Sequence, residues 1–80
     1  MLYLQWRREE LGWPQAQLAR ETGSHQPTIS KIERGLISPS DDLLNKIAGV
    51  LGVAPAFCLL RSVAVREEVV FSDSDRQVSA

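Results

Sequence analysis

Gln15-Ala16-Gln17-Leu18-Ala19-Arg20-Glu21-Thr22-Gly23-Ser24-His25-Gln26-Pro27-Thr28-Ile29-Ser30-Lys31-Ile32-Glu33-Arg34-Gly35 reads as two short helical segments divided by one glycine-bearing turn. The first, Gln15 to Thr22, carries Leu18, Ala19 and Thr22 on one stripe and stops at Gly23, a residue suited to the left-handed conformation that ends helices. The second starts after Ser24-His25. Pro27 falls in its first turn, where a missing N–H breaks no intrahelical bond, and Gly35 closes it. Ile29, Ile32 and Glu33 recur at i, i+3, i+4 and are expected to face inward, which leaves Gln26, Pro27, Ser30, Lys31 and Arg34 on the outer side.

Upstream of this pair, Leu4, Arg8 and Leu11 stand at i, i+4, i+7 before the break at Gly12-Trp13-Pro14. An arginine on an otherwise apolar stripe requires a buried partner. Downstream, Ser38-Pro39-Ser40-Asp41-Asp42 opens a fourth helix, with Ser40 as N-cap and two carboxylates at the positive end of the helix dipole. Leu44, Ile47, Ala48 and Leu51 form its apolar stripe and Gly52 ends it. A fifth short helix is expected from Pro55, including Phe57, Leu59 and Leu60. Beyond Arg61 the pattern changes: Val63, Val65, Val69 and Phe71 alternate with Ala64, Arg66, Glu68 and Val70, broken only by Glu67, which predicts an extended strand in need of a pairing partner. Ser72 to Ala80 is rich in Ser and Asp and reads as a solvated or disordered end. Helices this short are unstable alone in water and must share one core. The expected fold class is therefore all-α: a compact five-helix bundle over residues 1–61, with a C-terminal arm over 62–80 that holds a candidate dimerisation strand and then a tail.

Composition narrows the function. A chain of 80 residues, 44% hydrophobic and 24% charged, has room for one domain and none for a second core or a separate ligand-sensing domain. Nine Lys+Arg against ten Asp+Glu leave a net charge of −1, so any attraction to nucleic acid must come from a local basic patch. Across residues 1–50, Arg7, Arg8, Arg20, Lys31, Arg34 and Lys46 are matched by Glu9, Glu10, Glu21, Glu33, Asp41 and Asp42, so arrangement alone can create one. The single cysteine, Cys58, forms no intrachain disulfide and no multi-thiolate zinc site; it suits a reducing, cytoplasmic location and a small buried hydrophobe. Met1 to Arg8 runs apolar then basic, the reverse of a signal peptide, and no apolar run approaches the roughly 20 residues that span a bilayer, so no membrane association is expected. The one histidine, His25, has no companion ligands, there is no nucleophile elbow and no glycine-rich phosphate loop, and Asp41-Asp42 is explained by dipole capping. No enzyme activity, metal or cofactor is expected. Trp6 and Trp13 are assigned to the core or its rim.

The outer side of the Gln26–Arg34 segment offers what base edges and phosphates accept. Glutamine pairs bidentately with adenine N6/N7 in the major groove, lysine reaches guanine O6/N7, and arginine near a loop suits phosphate. Any solvated helix face has a similar composition, so position decides. A two-turn helix, a tight turn at Gly23 and a helix with a polar outer face together make a helix-turn-helix, whose second helix inserts its N-terminal residues into the groove.

The pattern Gln15-x-x-Leu18-Ala19, Gly23, then Ile29-Ser30-x-Ile32-Glu33-x-Gly35 resembles the phage repressor and Cro family, also called the XRE family. The likeness continues through Pro39-Ser40 and Lys46-Ile47-Ala48-x-x-Leu51-Gly52-Val53. It implies a sequence-specific DNA-binding transcriptional regulator, a repressor by expectation, that binds double-stranded DNA as a homodimer on a pseudo-palindromic operator. By the same resemblance Gln15 meets a backbone phosphate and braces the first reader of helix 3, and Gln26 is that reader. Pro27, Ser30 and Lys31 face bases or nearby phosphates, Arg34 contacts phosphate by the loop, and Arg8 and Glu33 form a partly buried salt bridge between helices 1 and 3. Four positions depart from the family pattern. Pro14 replaces the usual capping hydroxyl of helix 2; His25 stands where a small hydroxyl residue caps helix 3 and is a candidate phosphate contact; Pro27 offers no side-chain hydrogen bond, only a ring against a thymine methyl; Asp41 takes a usually apolar place. The competing expectation is a protein-interaction adaptor or antitoxin-type module that docks a protein partner through the C-terminal arm, with weak or no DNA binding.

Overall fold

Among the described residues five helices follow one another: α1 Tyr3–Glu10, α2 Gln15–Glu21, α3 Gln26–Glu33, α4 Asp41–Leu51 and α5 Pro55–Cys58. Two strands come after them, β1 Ser62–Val65 and β2 Glu68–Phe71. The computed structural model describes the backbone of residues 1–65 and 68–71 and the side chains of residues 1–61.

The helix stripes close on one another as their spacing requires. Leu4 of α1, Leu18 of α2, Ile29 and Ile32 of α3, Ile47 and Leu51 of α4 and Cys58 of α5 are all fully buried, and Trp13, Leu43, Leu44 and Val53 pack around them. Helix α2 packs on α3, while α1 packs on α4 and α5. The ends of the helical unit are tied: Leu2 forms an antiparallel bridge with Arg61, and the Tyr3 N–H donates to the Leu60 carbonyl at 2.8 Å. Arg7 Nε donates to the Leu51 carbonyl at 3.1 Å, supplying a cation to the negative end of α4. At the other end of α4, Ser40 Oγ accepts from the Leu43 N–H at 3.2 Å, as an N-cap should. Trp6 stacks on Tyr3 with ring centroids 5.6 Å apart.

Three expectations are corrected. Leu11 lies past the end of α1 as its C-cap and is 38% exposed, because the chain already turns there toward Gly12 and leaves the buried stripe. Helix α5 is a single turn, with Leu59 as its C-cap; Leu60 reaches the core from outside the helix, and Phe57 is 48% exposed. The arm is not one strand. β1 and β2 pair antiparallel in a two-stranded sheet, Ser62 opposite Phe71 and Val65 opposite Glu68, so ladder N–H and C=O groups find partners within the chain. The readings made for residues 66, 67 and 72–80 lie outside the described residues.

Candidate nucleic-acid interface

The turn between α2 and α3 is set by hydrogen bonds that need a left-handed residue at its centre. Gly23 has φ of 67°, its N–H donates to the Arg20 carbonyl at 3.3 Å, and the Ser24 N–H donates back to the Ala19 carbonyl at 2.8 Å. This double closure satisfies the Ala19 and Arg20 carbonyls near the end of α2 and redirects the chain within two residues. The Thr22 hydroxyl, buried beneath the turn, donates to the Leu18 carbonyl at 2.8 Å. Neither Pro14 nor His25 makes a side-chain cap at the N-termini of α2 and α3, which is the physical consequence of replacing a short hydroxyl there.

Helix α3 has two faces of opposite character. Ile29 and Ile32 are 0% and 1% exposed and lock it to the core. Gln26, Pro27, Lys31 and Arg34 are exposed, Ser30 is half-buried, and His25 is exposed at the N-cap. Among the described residues Lys31 and Arg34 have no ion-pair partner, so both cations are available to an external anion.

A continuous set of hydrogen bonds runs from the interior to this outer face. Arg8 Nε donates to Glu33 Oε2 at 2.7 Å and Arg8 Nη2 to Glu33 Oε1 at 3.0 Å, a two-pronged pair between α1 and α3. Arg8 and Glu33 are only 7% and 6% exposed. Arg8 Nη1 donates to the Trp13 carbonyl at 2.6 Å, and the exposed Glu9 carboxylate lies 3.5 Å from Arg8 Nη2. Glu33 Oε1 also accepts from Gln15 Nε2 at 2.8 Å, and Gln15 Oε1 accepts from Gln26 Nε2 at 2.7 Å. No buried side-chain N or O among the described residues is left without a partner, the condition under which a buried ion pair is tolerated. Arg8, Glu33, Gln15 and Gln26 are thus brought into one network, while His25, Pro27, Ser30, Lys31 and Arg34 share α3 and its turn with it. Sequence reasoning did not find the bond from Gln15 to Glu33. The two residues are 18 apart, and no local pattern signals that their side chains meet.

No group of three or more His, Cys, Asp or Glu able to hold a metal exists among the described residues, and no helix among them is long and apolar enough to cross a membrane. Cys58 is fully buried, with Sγ 3.8 Å from the Ala54 carbonyl. Burial pushes its thiol above the ordinary 9.0 to about 11. The thiolate is the reactive form, so alkylation of the native protein at neutral pH should proceed only as fast as the chain unfolds; rapid labelling would contradict this. Because the folded value is the higher one, this thiol's contribution to stability is complete below pH 9.0 and is lost as pH rises toward about 11.

A helix-turn-helix family model, HTH_3, matches residues 4–58. Two uncharacterised HTH-type transcriptional regulators from two strains of Mycobacterium tuberculosis are each 35% identical to this chain over 60 residues, which is 75% of this chain and 43% of theirs. The chain therefore spans less than half the length of these curated relatives. The crystal structure of the P22 c2 repressor in complex with a synthetic operator is similar with a TM-score of 0.68 and 28% identity, over 70% of this chain and 85% of that one.

Proposed function

This chain belongs to the HTH_3 helix-turn-helix family, and from that premise we propose that it is a sequence-specific transcriptional repressor, a homodimer that sets each α3 into successive major grooves about 34 Å apart. The family and fold are those of DNA-binding regulators and not of enzymes. The observation that carries the reading is the outer side of α3. Its exposed Gln26, Lys31 and Arg34 stand on a helix anchored to the core by Ile29 and Ile32, and Gln26 is braced by Gln15. The operator-bound P22 c2 repressor supports the same use of this fold.

The roles follow from chemistry and position. Gln26 reads adenine and Lys31 reads guanine; Ser30 contacts a base or a phosphate close by, and the Pro27 ring touches a thymine methyl. Gln15, His25 and Arg34 contact phosphates and hold the helix in register without reading sequence. The second copy is engaged through α5, where the apolar ring of Phe57 is 48% exposed, and through the β1–β2 arm.

Selection from randomised duplex DNA with the purified chain, together with its mass in solution, tests this. A palindromic consensus and a dimer mass are expected. Lys31→Ala should relax the base preference at one position per half-site at a cost of about 1–3 kcal/mol. Arg34→Ala should weaken all sequences alike and reduce the slope of log affinity against log salt by about 1. A second reading, the protein-interaction adaptor, is favoured by the net charge of −1. It requires the Lys31→Ala and Arg34→Ala variants to behave as the parent does and the selection to yield no consensus.

A further inference from the structure

We propose that the buried Glu33 carboxylate selects the base read by Gln26, because it dictates the direction of both amide hydrogen bonds that connect them. The inference rests on α3 entering the major groove. Glu33 holds Arg8 across both its oxygens and, as a carboxylate, can only accept. Gln15 must therefore turn its NH₂ group toward Glu33, as it does at 2.8 Å. That choice leaves the Gln15 oxygen facing outward, and an amide oxygen also only accepts. Gln26 must in turn present its own NH₂ group to Gln15, as it does at 2.7 Å.

The orientation of Gln26 is thus determined two side chains away. One of its N–H bonds is used by Gln15. What remains for a ligand is one N–H and the carbonyl oxygen Oε1, a donor beside an acceptor. Adenine presents the complement in the major groove, the N7 acceptor and the N6 amino donor. Guanine presents two acceptors, N7 and O6, and its O6 would meet the Gln26 oxygen with no proton between them. A glutamine free to turn its amide end for end offers two N–H groups to guanine or a donor and an acceptor to adenine. Held by Glu33 through Gln15, it offers only the second. Glu33 and Gln15 are positioning residues in this scheme, and the exposed Gln26 is the group that touches the base.

Two measurements decide it. In the free, isotope-labelled chain, through-hydrogen-bond couplings should link Gln26 Nε2 to the Gln15 side-chain carbonyl carbon and Gln15 Nε2 to the Glu33 carboxylate carbon. Couplings in the reverse sense, or none, overturn the inference whatever the DNA result. Operator selection then reads the consequence, with Gln26→Ala identifying the position that Gln26 contacts. Wild-type protein should prefer adenine over guanine there by about 10-fold or more. Gln15→Met keeps the length of the side chain but removes the relay, so that preference should fall to within about threefold even though overall affinity also drops with the lost phosphate contact. Glu33→Gln, where it folds, should shift the position in the same direction. An adenine preference that survives Gln15→Met intact overturns the inference while leaving α3 as the reader. Failure of the wild-type chain to bind any duplex overturns the functional reading and the base preference with it, and the couplings still report the hydrogen-bond direction.

Discussion

Glu33→Ala should destabilise the folded chain by about 3–5 kcal/mol, a large share of the 5–15 kcal/mol that holds a typical small domain together. The reason is the residue it strands. Arg8 is 7% exposed, and without Glu33 its guanidinium keeps the Trp13 carbonyl at 2.6 Å and an exposed Glu9 at 3.5 Å, too little to replace a two-pronged carboxylate. Arg8→Ala should cost a similar amount by leaving the carboxylate unpaired. Replacing both by methionine should recover most of the loss, because a buried pair is expensive chiefly when one member remains. Urea unfolding followed by circular dichroism measures all three. A loss below about 1 kcal/mol for either single variant would mean that the pair is solvated in practice and contributes little. Such a variant also tests function separately, since the pair anchors Gln15 and through it Gln26; a Glu33 variant that folds should bind DNA with altered base preference.

For the proposed homodimer, removing residues 62–80 should give a monomer and lower operator affinity by about 100-fold or more, because two linked half-site contacts become two independent ones. The helical unit should survive the cut. Among the described side chains, every core residue lies between Leu2 and Leu60, and the bond from the Tyr3 N–H to the Leu60 carbonyl remains. A lone two-stranded hairpin is marginal in water and leaves outer edges with unpaired backbone groups, which is why the proposal sets β1–β2 against a second copy. Sedimentation of the truncated chain, alongside operator titration, checks both parts. A truncated dimer with full affinity would place the interface on α5 alone. A truncated chain that is unfolded would instead assign the arm to the stability of the domain.

The helices were legible because their signals are local. Leu18, Ala19 and Thr22 of α2, and Ile47, Ala48 and Leu51 of α4, recur at helical spacing, and all six are buried. Ser40 caps α4, and Gly23 takes the left-handed turn that its position suggested. Where spacing misled, the helix had already ended. Leu11 continues the arithmetic of the α1 stripe but lies beyond its last turn, and Leu59 and Leu60 lie past the single turn of α5 rather than within it. In the arm, alternation announces extended backbone yet says nothing of where a strand folds back, and two paired strands stand where one was expected.

Periodicity and turn chemistry alone determined that this chain would be a helical bundle with a polar outer side on its third helix, because backbone preference and apolar spacing act over a few residues. The family resemblance implied the Arg8–Glu33 pair and the bracing of Gln26 by Gln15, and only the tertiary structure decided that a bond from Gln15 to Glu33 joins them into one network behind that outer side. Arg8 and Glu33 are 25 residues apart, Gln15 and Glu33 are 18 apart, and Gln15 and Gln26 are 11 apart. Packing of α1, α2 and α3 brings them within hydrogen-bond distance, and the charge buried at the inner end leaves each amide beyond it with one direction in which to donate.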